Sequence, residues 1–118
     1  MARILSITPV EILGKTRQLV LEKAGYQVCS LAEAPKDDTL AKDEKFDLAV
    51  IGHGFRGRDK RQIANVINHS FPGLPILELC LHSPEVPGVD FIFSDSPDEL
   101  LAAIKEILAG RRVRGFLH

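Results

Sequence analysis

This sequence has few of the residues that would cross-link a chain, and no segment that would hold it in a membrane. It has two cysteines, one methionine, one tyrosine and no tryptophan in 118 residues. Cys29 and Cys80 lie far apart and form neither a disulfide framework nor a C-x-x-C motif, so we expect reduced thiols. No apolar run approaches the roughly 18 residues of a membrane span, and no long apolar signal segment follows the first residues. We therefore expect a cytoplasmic protein with no membrane contact.

The sequence also lacks a strong net charge of either sign. Its formal net charge is −1, with 15 basic and 16 acidic side chains. Arginines concentrate in two places, Arg56–Arg61 and the C-terminal residues 111–118. A protein that binds nucleic acid in bulk is usually basic overall, so we expect no such binding. The two basic places would instead suit a small anion or an acidic partner.

Length and composition are those of one globular domain. Hydrophobic residues make up 45% and charged residues 26% of the chain, which excludes a disordered chain. We divide the chain into a domain over residues 1–110 and a basic C-terminal tail over residues 111–118.

Short apolar runs alternate with helical periods along the chain. Gly25 is predicted to end the first helix and Pro72 the second, and Ser96-Pro97 is predicted to begin the third. This alternation indicates right-handed β-α-β units on a parallel sheet. The predicted strands are Arg3–Ile7, Tyr26–Leu31, Phe46–Ile51, Leu74–Leu81 and Phe91–Phe93, and the predicted helices are Pro9–Ala24, Arg58–Ser70 and Pro97–Ala109.

Two connections depart from this alternation. The charged stretch Pro35–Lys45 predicts a short helix at best. The link between the fourth and fifth strands, His82–Asp90, is too short for a crossover helix and contains Pro84 and Pro87. We predict a loop there.

Several segments together resemble a known family. They are Arg3–Leu5, Leu21–Val28, Phe46–Ile51, Pro75–Leu77 and Asp90–Leu101. In their order and residue types they resemble the receiver domain of bacterial response regulators. The likeness runs from Arg3 to Ala109. It implies a flavodoxin-like (CheY-like) α/β fold, a three-layer sandwich on a five-stranded parallel sheet of order 2-1-3-4-5. The family's fourth helix would be missing or much shortened.

The resemblance also marks the positions that carry the family's phosphorylation chemistry. Those are an acidic pair after strand one, a phosphoacceptor Asp after strand three, a hydroxyl residue after strand four and a Lys after strand five. An ungapped alignment from Arg3 places Thr8-Pro9, Gly52, Cys80 and Ser94 there. These residues supply neither carboxylates for Mg²⁺ nor a nucleophile for a phosphoryl group.

A receiver-like sequence that lacks the residues for phosphorylation predicts a degenerate receiver. We expect a phosphorylation-independent signalling or scaffolding module that binds a protein partner or a second copy of itself. We expect no catalysis and no cofactor.

An alternative function is the binding of a small anion or nucleotide by the loop Gly52–Arg61. Its glycines would expose backbone amides near the start of a helix, where anions bind favourably. The candidate ligands are Thr8, Gly54, Arg56, Arg58 and Arg61. The loop matches neither the dinucleotide fingerprint nor a P-loop, so a loop shaped by its glycines is the plainer interpretation.

Three side chains at the ends of strands three and four are of types that bind metals. They are His53, Cys80 and His82, and two imidazoles with a thiol could serve as zinc ligands. Their spacing matches no zinc signature and no fourth ligand is evident, so we predict ordinary polar residues and no metal site.

The candidate interaction surface is the face that the missing helix would cover. Ile76, Glu78 and Cys80 alternate onto one face of strand four, and Phe91 lies on the neighbouring edge strand. We expect Ile76, Glu78 and Phe91 to be under-covered and available to a partner. Two alternatives remain open: Glu78 is paired with a Lys or Arg, or Val113, Phe116 and Leu117 of the tail cover the gap.

Overall fold

The computed structural model describes residues 2–34, 45–93 and 96–115. Five parallel strands in this part of the chain form one sheet of order β2-β1-β3-β4-β5, which confirms the predicted order. The strands are β1 (Arg3–Ile7), β2 (Gln27–Leu31), β3 (Leu48–Ile51), β4 (Ile76–Leu79) and β5 (Asp90–Ile92), and the helices are α1 (Glu11–Lys23), α2 (Gly57–Ser70) and α3 (Pro97–Leu108). The predicted short helix at residues 35–44, the aligned position Ser94 and the tail residues Phe116 and Leu117 lie outside the described residues.

The helices begin and end where the sequence has start and stop residues. Gly25 follows α1 with a φ of +100°, a conformation that only glycine adopts without strain, and the chain turns there into β2. Pro97 is the first residue of α3, where its missing N–H costs nothing.

Each face of the sheet packs against its own apolar cluster. One face packs against α1 and α3, and the other packs against α2 and the loop between β4 and β5. The strand residues alternate between the two clusters because side chains alternate along a strand. The first cluster includes Ile4, Leu21, Leu48, Leu77, Leu79, Leu100, Ile104 and Val113, and the second includes Leu5, Ile7, Ala49, Ile51, Ile63, Ile67, Ile76 and Val86.

The connection between β4 and β5 is a loop, as predicted. Residues 80–89 are all described and none of them is helical. The fold therefore lacks the helix that the receiver family has at this place. Within the described residues, no helix is long and apolar enough to cross a membrane.

The described part of the tail lies against the sheet. Phe91 N–H donates to the Val113 carbonyl at 3.0 Å, and Gly115 N–H donates to the Phe91 carbonyl at 2.8 Å. These bonds place Arg114 beside Phe91 in a single parallel bridge at the outer edge of β5. The division into residues 1–110 and 111–118 stays a prediction, but residues 111–115 contact the domain.

Candidate functional site

The carboxyl ends of the central strands bring three aligned positions to one edge of the sheet. Gly52 N–H donates to the Ile7 carbonyl at 2.8 Å, and Thr8 N–H donates to the Leu31 carbonyl at 3.0 Å. Cys80 follows β4, the next strand along, and is bonded to β5 through its own N–H. Thr8, Gly52 and Cys80 thus form a rim at the place where receivers carry their phosphorylation chemistry.

A buried arginine fills the space beside Gly52. Arg17, on α1, is only 6% exposed. A Cβ built on Gly52 would lie 2.7 Å from Nη1 of Arg17 and 3.1 Å from Cβ of Thr8. The guanidinium therefore lies where a side chain at the aligned acceptor position would extend, and it brings positive charge to that place.

Arg17 is not among the residues predicted from the sequence, although its place in the helix carried a signal. Arg17 falls four residues after Leu13 and four before Leu21, so it shares the helix face that Leu21 buries. An arginine in phase with apolar core residues is uncommon, because charged side chains are seldom buried without a partner. Helical phase alone would have marked Arg17 as a buried charge.

The structure brings together only part of the predicted anion-binding set. Thr8 Oγ1 donates to the His53 carbonyl at 3.3 Å. Gly54, with a φ of +100°, packs against Pro9 so closely that a Cβ there would lie 2.9 Å from Cγ of Pro9. The loop after β3 is therefore held against the residues that follow β1.

The three arginines of that set lie just before α2 and in its first two turns. Arg56 precedes α2 and is exposed. Arg58 is also exposed, and its nearest acidic group is the neighbouring Asp59, at 3.9 Å. Arg61 Nη1 instead donates to the Glu85 carbonyl at 3.4 Å, on the loop between β4 and β5. Arg61 thus contacts the loop between β4 and β5, and an anion site formed by this set stays a prediction.

A carboxylate of the chain itself lies at the start of α2. A Cβ built on Gly57, the first residue of α2, would collide with Oε2 of Glu85. The positive end of the helix dipole favours an anion at this place. An external anion at the α2 N-terminus would have to compete with Glu85.

The predicted metal candidates are also separated by their environments. Burial, and secondarily the nearby charge of Glu78, raise the pKa of the Cys80 thiol to about 12. A thiol must lose its proton to bind zinc, so this environment disfavours Cys80 as a ligand. His82 is exposed and His53 half-buried. Among the described residues, no three His, Cys, Asp or Glu side chains group in a way that suits a metal ion.

The expectation of an under-covered face on β4 is wrong for two of its residues. Ile76 is 3% exposed and Glu78 is fully buried. Lys60 Nζ, from α2, donates to Oε2 of Glu78 at 3.0 Å and to the Leu79 carbonyl at 3.0 Å. Glu78 is therefore paired with a lysine, which was one of the two alternatives that the sequence left open.

The loop between β4 and β5 folds over Glu78 in place of a helix. The amides of Glu85 and Val86 both donate to Oε1 of Glu78 at 3.1 Å. Val86 is 5% exposed and joins the apolar cluster beneath. The carboxylate satisfies backbone groups that an irregular loop would otherwise leave unpaired, and this is the physical reason why the face is closed.

A second buried carboxylate holds the C-terminal segment. Asp90 Oδ1 accepts a hydrogen bond from Arg112 Nε at 2.9 Å and another from the Val113 amide at 2.7 Å. Val113 is 1% exposed and packs into the cluster beneath α3. Phe91 is half-buried between β4 and this segment. Its assignment to an interaction surface stays a prediction.

Comparison with known proteins gives the fold and no closer assignment. No protein-family model matches the chain, and no curated protein matches it in sequence. The structure is similar to the chemotaxis protein CheY4 of Vibrio cholerae, with a TM-score of 0.75 and 18% identity over 89% of this chain and 97% of that one.

Two further solved structures are similar over nearly the whole chain. The receiver domain of HemR from Leptospira biflexa has a TM-score of 0.75 and 23% identity, over 92% of this chain and 95% of that one. A two-component response regulator of the LuxR family from Aurantimonas has a TM-score of 0.74 and 26% identity, over 96% and 89%. The chain thus has the flavodoxin-like fold of CheY-like receiver domains, which suggests a role in signalling.

Proposed function

We propose that this chain is a receiver-like signalling module that acts through protein contacts, without phosphorylation and without catalysis. The likeness to receiver structures supports the signalling role. The residues at the carboxyl ends of the strands support the rest. Thr8, Gly52 and Cys80 stand at the aligned positions of the acidic pair, the phosphoacceptor and the hydroxyl residue.

The observation that carries the proposal is the approach of Arg17 to Gly52. Glycine offers no side chain to accept a phosphoryl group, and covalent transfer to a protein requires a nucleophilic side chain. Mg²⁺ is held by hard oxygen ligands, usually with one or two carboxylates. A guanidinium 2.7 Å from where the Gly52 Cβ would lie repels a cation from the same space.

The absence of catalysis is supported by the hydroxyl group at the rim. Thr8 Oγ1 donates its proton to the backbone carbonyl of His53, so a backbone acceptor and not a general base holds this proton. A hydroxyl group becomes a useful nucleophile only with such a base.

The direct test is incubation of the full chain with acetyl phosphate and Mg²⁺, followed by intact mass measurement. We expect no phosphate adduct, while a phosphorylatable receiver domain treated in parallel gains one. An acid-labile, hydroxylamine-sensitive adduct on this chain would overturn the proposal.

Two variants test the role of Arg17. Gly52→Asp restores a carboxylate at the acceptor position, but we expect it to remain unphosphorylated because Arg17 neutralises the new charge and the acidic pair is still missing. The variant Thr8→Asp, Gly52→Asp, Arg17→Leu removes both obstacles, and we expect measurable Mg²⁺ affinity. Phosphorylation of Gly52→Asp alone would show that Arg17 does not prevent the reaction.

A further inference from the structure

The C-terminal segment, residues 111–115, presents two arginines on the face that lacks a helix. Successive side chains of an extended chain point to opposite sides. Val113 points into the cluster beneath α3 and is 1% exposed. Arg112 and Arg114 therefore point to the other side, where Phe91 and the loop between β4 and β5 lie.

Two open grooves flank the turn Pro87–Val89 on this face, and each contains one of these arginines. The first has a volume of about 180 Å³, and its lining includes Pro84, Glu85, Pro87, Phe91 and Arg114. The second has a volume of about 330 Å³ and includes Ile76, Val89 and Arg112. Sites for small molecules typically span roughly 300–1,000 Å³, so the first groove suits a single apolar side chain of a larger partner.

The charge that this face presents is positive. Arg114 is exposed and forms no ion pair within the described part of the chain. Arg112 is bonded to Asp90, yet 56% of its side chain is exposed. Of the nearby acids, Glu78 and Asp90 are buried and bonded, and Glu85 is exposed but has its carboxylate against Gly57 at the start of α2.

From these features we infer that the face formed by the turn Pro87–Val89, Phe91 and the C-terminal segment binds an acidic segment of a protein partner that carries an apolar side chain. The arginines are complementary to its carboxylates, and the groove beside Phe91 takes the apolar side chain. The inference rests on the proposed function and specifies the chemistry of the partner.

The features of the face favour a protein over a nucleic acid. Two arginines beside prolines and a half-buried phenylalanine give an apolar floor with few positive charges. Nucleic-acid sites instead combine many basic side chains with exposed aromatic rings on which bases stack. A nucleic acid is nevertheless one of the outcomes that the experiment distinguishes.

The experiment measures binding of a fluorescent peptide that alternates glutamate and leucine to the full chain at low salt. We expect binding, with NMR shifts at the amides of Gly88, Val89 and Arg114 and none at Gly54. Arg114→Glu should weaken binding about tenfold, since it replaces attraction by repulsion. Lys23→Glu makes the same charge change on an exposed residue at the end of α1 and should leave binding nearly unchanged.

Three results would overturn the inference. They are no binding, equal weakening by Arg114→Glu and Lys23→Glu, or equally tight binding of an all-glutamate peptide or a single-stranded oligonucleotide. The phosphorylation assay is independent of this one. A chain that binds the peptide through Arg114 and also accepts a phosphoryl group would contradict the proposed function but leave this face in place.

Discussion

The two faces of the sheet are closed by different means. Helices α1 and α3 cover one face, which is largely aliphatic although Ser6 and Asp90 are buried among its strand residues. On the other face, α2 and a loop cover the strands, and a buried ion pair joins them: Lys60 and Glu78 are 4% and 0% exposed. A helix satisfies its own backbone groups, whereas a loop needs external partners. On the loop-covered face, a buried carboxylate thus supplies the hydrogen bonds that a helix would make within itself.

We expect the largest loss of unfolding free energy from Lys60→Met, on the face that α2 and the loop cover. The substitution keeps an unbranched side chain that is one atom shorter, and it leaves the Glu78 carboxylate buried without its cation. Breaking a buried pair in this way typically costs about 3–5 kcal/mol of unfolding free energy. Urea denaturation measures the loss.

The double variant Lys60→Met, Glu78→Gln is the control. The glutamine oxygen can still accept from the amides of Glu85 and Val86, and no uncompensated charge remains. We expect the double variant to be more stable than Lys60→Met alone. If the double variant is instead less stable than Lys60→Met by the full free-energy cost of Glu78→Gln alone, the two side chains do not act as a pair.

The cluster beneath α1 and α3 should lose unfolding free energy when an apolar side chain is made smaller. Ile104, on α3, is fully buried in the first cluster, so Ile104→Ala should cost about 2–5 kcal/mol. Ile104 and Lys60 lie on opposite faces, and we expect their costs to add in the double variant within about 0.5 kcal/mol. A strong coupling between them, measured by urea denaturation, would show that the faces are not independent.

The fold could be predicted because the residues that determine each strand, helix and loop lie close together in the sequence. The run Phe46–Ile51 is apolar throughout after Asp47, as expected of a strand buried on both faces. The prolines in the link before β5 similarly predicted that no helix forms there. The observed strands are shorter than predicted at several ends, since apolar residues continue past the last ladder hydrogen bond.

The closure of the α2 face depends on pairs that are distant in sequence. Glu78 was recognisable as unusual, but its partner Lys60 lies on another element. Lys60 is in helical phase with the buried Ile63 and Ile67, and this was the available signal. Nothing local indicates that Asp90 accepts from Arg112 and Val113, because that contact depends on where the tail runs after α3.

A smaller effect is expected at the carboxylate that holds the C-terminal segment. Asp90→Ala removes the acceptor of the buried Val113 amide and of the partly exposed Arg112. An unsatisfied buried amide costs about 1–3 kcal/mol, and the exposed arginine adds little. We also expect faster hydrogen exchange at the amides of Phe91 and Gly115, which bond across this edge.

The matched control for Asp90→Ala is Glu106→Ala. It breaks an ion pair of the same tail, Arg111 with Glu106 at 3.2 Å, whose side chains are 67% and 41% exposed. Exposed pairs contribute roughly 0–1 kcal/mol, so this variant should be close to wild type. Equal losses in the two variants would contradict a specific role for Asp90.

The smallest effect concerns Cys80, which lies beside Glu78 on the loop-covered face, whereas Cys29 is half-buried on β2. Burial raises the pKa of the Cys80 thiol to about 12, so at pH 8 iodoacetamide should alkylate Cys29 well before Cys80.

An unfolded cysteine has a pKa of about 8.5. The unfolded chain therefore releases this proton first as the pH rises, and this contribution to stability is lost as the pH rises from about 8.5 towards the folded pKa. Urea denaturation at pH 8 and pH 10 should show a smaller loss for Cys80→Ala than for wild type, because the other titrating groups are common to both. Equal losses, or equal alkylation rates of the two thiols, would mean that the closed face does not protect Cys80.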